Sequence, residues 1–104
     1  MSHEEFEISK EKKADSVKFV ISGRINSANS DELQYILEEA VKEGAKNIVL
    51  NMLRVEYMSS AGIRVVINVY KDAKEAGGKL GIEMPSENVR NVLGMIALDE
   101  MLIN

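Results

Sequence analysis

A continuous apolar run, Ile48-Val49-Leu50, stands between two stretches whose apolar residues recur at helical spacing. Such a run is what a strand covered on both faces, or an inner strand of a parallel sheet, looks like. Before it, Leu33, Ile36, Leu37, Ala40 and Val41 form one stripe of a helix. After it, Ile63, Val66, Ile67, Tyr70 and Ala73 form the core stripe of a second, from a start near Ser59 or Ser60 to about Ala76, with Gly77-Gly78 beyond. A strand held between two helices calls for a sheet whose central strands are parallel.

The flanks complete the pattern. Phe6 and Ile8 alternate with Glu5, Glu7 and Ser9, as in a half-buried strand, and a charged turn from Lys10 to Asp15 follows. Val17, Phe19 and Ile21 alternate with Lys18, Val20 and Ser22 in a second strand ending at Gly23. The short turn between the two implies an antiparallel hairpin. Asn29 with Glu32 resembles a helix-capping pair, Ser27 is an alternative start, and Lys42 with Gly44 closes that helix. Leu80, Ile82 and Met84 form a further strand stopped by Pro85, and Ser86 caps a third helix carrying Val89, Val92, Leu93 and Ile96. Leu98, Met101, Leu102 and Ile103 end the chain as an apolar tail expected to pack on the core. The expected fold is an α/β domain in the order β-β-α-β-α-β-α. It has a mixed sheet of about four to five strands, a largely parallel core and three main helices, with residues 1–104 as a single domain.

Composition narrows the chemistry. A chain of 104 residues can bury roughly two-thirds of its unfolded surface, enough for one core without staples. With no cysteine, neither a disulfide nor a thiolate metal site is possible. The single histidine, His3, lies in a polar N-terminal segment expected to fray, so Ser-His-Asp catalysis and multi-histidine metal sites are not expected. A serine hydrolase elbow and the Walker and Rossmann glycine patterns are missing, so no enzyme and no cofactor is expected. The net charge of -4 repels nucleic acid, and the Lys10, Lys12, Lys13 cluster, broken by Glu11, reads as a solvated turn. No apolar run is long enough to span a bilayer and no secretion signal is evident, so a cytoplasmic protein without membrane partners is expected.

One stretch stands apart, Tyr57-Met58-Ser59-Ser60-Ala61-Gly62-Ile63-Arg64-Val65-Val66. It places two serines and a glycine where a strand hands over to a helix. Amide groups at a helix start are unpaired and the helix dipole adds partial positive charge, so a phosphate on either serine would sit in a favourable field. Serine at a helix start also serves simply as a cap, and Ser59 competes with Ser60 for that role. Arg64, one turn after Ser60, can lean back toward a phosphate there or remain an exposed arginine beside a carboxylate. Ala61, Val65 and Val69 form a second stripe, either a partner-facing patch or the other side of a helix buried twice over. Gly62 in the first turn suggests close backbone approach or tight packing on a strand. Asn26 and Asn51 are expected at loop ends near Ser60, as local caps or partner contacts. Tyr57 and Met58 are expected to fill core or rim space.

These residues resemble the STAS domain and, within it, the bacterial anti-sigma factor antagonists, over nearly the whole chain. Ser22-Gly23-Arg24-Ile25-Asn26 resembles the family's glycine-x-leucine-aspartate pattern, and Ile48 to Leu53 its third strand. Met58 to Arg64 resembles its phosphorylation loop, with the phosphorylatable serine at Ser60. The chain departs in carrying neutral Asn26, Asn51 and Ser59 where the family often has aspartates; fewer negative charges make a phosphate easier to hold. The resemblance implies an anti-sigma factor that is also a serine kinase with its ATP, and a metal-dependent serine phosphatase, as partners of a monomer. The unmodified form would bind the anti-sigma factor and free the sigma factor, and phosphorylation would end binding. The resemblance also allows a STAS interaction module that is not phosphorylated, in a stress-sensing or transport-associated complex.

Overall fold

The computed structural model describes residues 6–96 and 102–103. His3, Leu98 and Met101 lie outside the described residues. The elements are β1 (Phe6–Lys13), β2 (Ser16–Ile25), α1 (Ser30–Lys42), β3 (Asn47–Met58), α2 (Ser60–Glu75), β4 (Lys79–Glu83), α3 (Glu87–Ile96) and β5 (Leu102–Ile103). They build one five-stranded sheet in the order β1-β2-β3-β4-β5. β1 is antiparallel to β2, and every other pairing is parallel.

The register stacks the core in rows. Val17 pairs with Ile48 and Ile48 with Leu80; Phe19 pairs with Leu50 and Leu50 with Ile82. All six are buried, as period-two alternation requires of one sheet face. They join Leu33, Leu37 and Ala40 of α1 and Val65, Val66, Val69 and Ala73 of α2 in one cluster, to which α3 adds Val89. The opposite face carries Lys18, Val20, Asn51 and Glu83, all half-buried.

Four expectations need correction. β1 runs to Lys13 and β2 to Ile25, leaving only Ala14 and Asp15 for the turn, with Ala14 at φ 56°. β3 runs for 12 residues rather than ending near Leu53. Two bulges explain it. Between Val20 and Ser22 of β2, β3 advances from Asn51 to Arg54; between Gly23 and Arg24 it advances from Val55 to Tyr57. Each bulge inserts one extra residue and resets which side faces the core, so Met52, Val55 and Met58 are buried at every third position. In α2 the deepest stripe is Gly62, Val65, Val66, Val69 and Ala73, with Ile63, Ile67 and Tyr70 only partly buried beside it. Finally, Asn29 stands at the N-cap of α1, but its side chain caps nothing in the helix and turns back instead. Gly44, at φ 91° just beyond α1, adopts the left-handed turn expected of it. Ser86 accepts from the Val89 amide at 3.2 Å, as a cap of α3 should.

Candidate functional site

The site forms where β2 and β3 end side by side. Ile25 and Met58 are their last pair, and the Ser59 amide donates to the Ile25 carbonyl at 2.8 Å. That bond pins the chain just before α2 begins. Ser59 is extended (φ -77°, ψ 170°), and its Oγ accepts from the Gly62 amide at 3.3 Å. The Ile63 amide closes the first turn on the Ser59 carbonyl at 3.0 Å. Ser59 therefore takes the capping role, and Ser60, the next residue, is exposed. Among the described residues no acceptor meets the amides of Ser60 and Ala61, the usual state of a first turn. The first turn of α2 holds no acidic residue, whereas α1 starts with Asp31 and Glu32. A dianion at the start of α2 would meet the helix dipole without a carboxylate of its own first turn against it.

Any side chain at Gly62 in the first turn would have to displace its neighbours. A Cβ built there would lie 2.6 Å from Ile25 Cγ2 and 3.2 Å from Met58 Cγ. Ile25 and Met58 are themselves buried, so α2 seats directly on the ends of β2 and β3.

The loop from Arg24 to Ser30 forms the neighbouring wall. Asn26 Oδ1 accepts from the amides of Ala28 (2.9 Å) and Asn29 (3.1 Å), while the Asn26 amide donates to Asn29 Oδ1 at 2.9 Å. Asn29 Nδ2 donates to the Arg24 carbonyl at 3.0 Å, and Asn29 is buried. Two asparagines thus hold the loop that follows β2 in a fixed shape beside the start of α2.

The structure brings together Asn26, Met58, Ser59, Ser60, Ala61, Gly62 and Arg64 of the expected site, but not Asn51. β3 carries Asn51 seven residues before Met58, on the order of 20 Å of extended chain from that end. Its Nδ2 donates to Glu83 Oε2 at 3.1 Å, and its Oδ1 accepts from the Leu53 amide at 3.2 Å. Glu83 also takes Lys18 Nζ at 2.6 Å, and the hydrogen bond from that ammonium holds the Glu83 carboxyl below its ordinary range. Val65 and Val69 are a second correction: both are buried in the core, at 4% and 0% exposure, and present nothing to a partner. Gly62 and Met58 are likewise sealed, and Ala61 is half-buried. What faces solvent is Ser60 and Arg64, and Arg64 joins no ion pair among the described residues.

Two further residues flank the site. The Arg24 guanidinium lies 4.7 Å from the centroid of the Tyr57 ring, a cation–π stack across the ends of β2 and β3. Tyr57, expected as core or rim filler, is 42% exposed. Only the bulged register pairs these two positions, so local pattern could not reveal them.

Ser59→Ala removes the acceptor of the Gly62 amide and should cost about 1 kcal/mol. In a domain of this size that lowers Tm by about 4–8 °C, whereas Ser60→Ala should leave Tm nearly unchanged. Equal Tm values for the two variants would show that the cap is not at Ser59.

Comparison with known proteins gives a consistent family. The STAS domain model matches residues 7–103. The chain is 38% identical over 72 residues to a Bordetella bronchiseptica protein that carries the name "Putative anti-sigma factor antagonist BtrV", covering 69% of this chain and 62% of that one. It is 25% identical over 83 residues to the anti-sigma F factor antagonist of Paenibacillus polymyxa, covering 79% and 71%. The chain thus spans 62% of the length of BtrV. Among solved structures, the anti-sigma factor antagonist SpoIIAA in its unphosphorylated form superposes with a TM-score of 0.83 at 20% identity, over 93% of this chain and 86% of that one. The Bacillus cell fate determinant SpoIIAA in its phosphorylated form gives 0.78 at 19% identity, over 93% and 89%. At these identities the likeness is one of fold.

Proposed function

The chain belongs to the STAS domain family, and from that premise we propose that it is an anti-sigma factor antagonist whose docking is ended by phosphorylation of Ser60. The observation that carries this reading is the division of labour between the two serines. Ser59 spends its hydroxyl on the helix cap, and Ser60 presents its own to solvent at the same helix start. The names of the relatives support the regulatory class, and SpoIIAA has been solved in both phosphorylated and unphosphorylated forms.

In this reading the chain performs no chemistry. Unmodified, it binds an anti-sigma factor that is also a serine kinase and so frees a sigma factor. The kinase, loaded with ATP, transfers the γ-phosphoryl group to Ser60 Oγ, which loses its proton as ADP leaves. The added charge of about -1.5 to -2 must then be desolvated or paired in any interface that covers it. An unmatched charge there costs several kcal/mol, about two or more decades of affinity. Arg64, one turn on and exposed, offsets at most one of the dianion's charges, so an interface that covers Ser60 still meets a net negative charge without any movement of the fold. A serine phosphatase restores the binding form. The working compartment in this reading is the cytoplasm; among the described residues no helix is long and apolar enough to cross a membrane.

The test is to incubate the chain with a purified anti-sigma factor kinase and ATP and to locate phosphate by mass spectrometry. Phosphate on Ser60 is expected. Phosphate on Ser59, or none at all with every such kinase of the source organism, would overturn the reading.

A further inference from the structure

The chain's basic residues are sorted by type along the strand direction. The nine lysines are Lys10, Lys12, Lys13, Lys18, Lys42, Lys46, Lys71, Lys74 and Lys79, and the four arginines are Arg24, Arg54, Arg64 and Arg90. Lys10, Lys12 and Lys13 lie toward the β1–β2 hairpin, and Lys18 near the start of β2. Lys46 and Lys79 lie at the starts of β3 and β4. Lys42, Lys71 and Lys74 lie in the C-terminal parts of α1 and α2. Because β2, β3 and β4 are parallel, all of these fall at one end of the domain. Every arginine falls at the other end: Arg24 next to last in β2, Arg54 in β3 beyond its pairing with β4, and Arg64 and Arg90 near the starts of α2 and α3. All four arginines are exposed. Among the described residues the ion pairs are both made by lysines, Lys10 with Glu43 and Lys18 with Glu83.

The two cations differ in use. Lysine is strongly hydrated and depleted from protein interfaces, whereas arginine's planar fork binds carboxylates bidentately and is enriched there. At the arginine end one guanidinium is already held in place, Arg24 over Tyr57. The stack lies across the last rungs of β2 and β3, one rung before the Ile25–Met58 pair that leads into Ser59. Arginine and tyrosine are also the residue types over-represented among those that dominate binding energy.

We propose that the Arg24–Tyr57 stack anchors a carboxylate-bearing surface of the protein partner that docks over Ser60. This rests on the proposed antagonist function and adds to it the place and chemistry of the contact. Tyr57 steadies the exposed guanidinium 4.7 Å from its ring centroid, so that the fork meets a partner carboxylate with less ordering cost. The lysine end stays solvated and out of the interface.

The probe is a purified anti-sigma factor kinase of the source organism, chosen because it binds the wild-type chain without ATP. Arg24→Ala and Tyr57→Ala should each weaken binding about tenfold or more, with Tm close to wild type because both side chains are exposed. Arg24→Lys keeps the charge but not the fork, and should lose about fivefold or more. The double variant should lose little beyond Arg24→Ala alone, since Tyr57 acts through Arg24. Lys10→Ala, Lys42→Ala and Lys74→Ala combined should change affinity less than about twofold. Binding within twofold for Arg24→Ala, while Ser60→Asp still abolishes it, would overturn the anchor and leave the switch standing. An equal loss from the lysine variant would also overturn the anchor, by placing the interface elsewhere. If none of the organism's anti-sigma factor kinases binds the wild-type chain, so that no probe can be chosen, both the anchor and the switch are overturned.

Discussion

Ser60→Asp is expected to weaken the complex with the anti-sigma factor kinase by about 100-fold or more, while Ser60→Ala binds like wild type. A 100-fold loss is about 2.7 kcal/mol, within what one unmatched buried charge costs at an interface. The contrast is sharp because both substitutions spare the fold. Ser60 is exposed, and the cap and the helix seat belong to its neighbours, Ser59 and Gly62. Either change should leave the melting temperature within a few degrees of wild type, which separates a docking effect from an unfolding one. Isothermal titration with the kinase in the absence of ATP measures both variants. Equal affinities would show that charge at Ser60 does not gate docking.

Gly62→Val is expected to be the most damaging change near the site, costing about 3 kcal/mol or more of stability. The new Cβ would lie 2.6 Å from Ile25 Cγ2, a methyl branching directly from a fixed strand position. Unlike the end of a long side chain, it has nowhere to swing, because Ile25 is completely buried. Valine adds two more methyl groups to that contact and is a poor helix former. Gly62→Ala is milder: the same overlap is offset in part by about 1 kcal/mol of helix propensity gained, for a net loss of about 1 kcal/mol. Ile25→Leu moves the offending methyl out along the side chain, so it should partly rescue Gly62→Ala in a double-mutant cycle. Urea denaturation gives all four values. A Gly62→Val chain as stable as wild type would mean that α2 does not seat on β2 as described.

Legibility in the sequence followed the range of the interaction. The stripe Leu33, Leu37 and Ala40 was readable because one face of α1 is buried and the other is wet. The order of elements followed from such local periods. The outer half of β3 was hidden, because two bulges turn its alternation into a spacing of three around Met52, Val55 and Met58. In α2 both stripes are apolar, so period alone could not say that Val65 and Val69 lie deeper than Ile63 and Ile67; the neighbouring helix and sheet decide that. Leu102 and Ile103 form an edge strand, and two residues are too few to signal one, so the sequence suggests only an apolar tail. At the site, Ser59, Ser60 and Gly62 were legible from the local strand-to-helix change. Asn51 was misplaced, since its partner Glu83 is 32 residues away. The Arg24–Tyr57 stack depends on a register that no local pattern encodes.

Native mass spectrometry of the chain mixed with an anti-sigma factor kinase that binds it and limiting ATP locates phosphate in the bound and free populations. Complexes are expected to contain only unmodified chain, and the released chain to carry a single phosphate, on Ser60. Complexes that retain chain phosphorylated at Ser60, in proportion to its abundance, would contradict the switch.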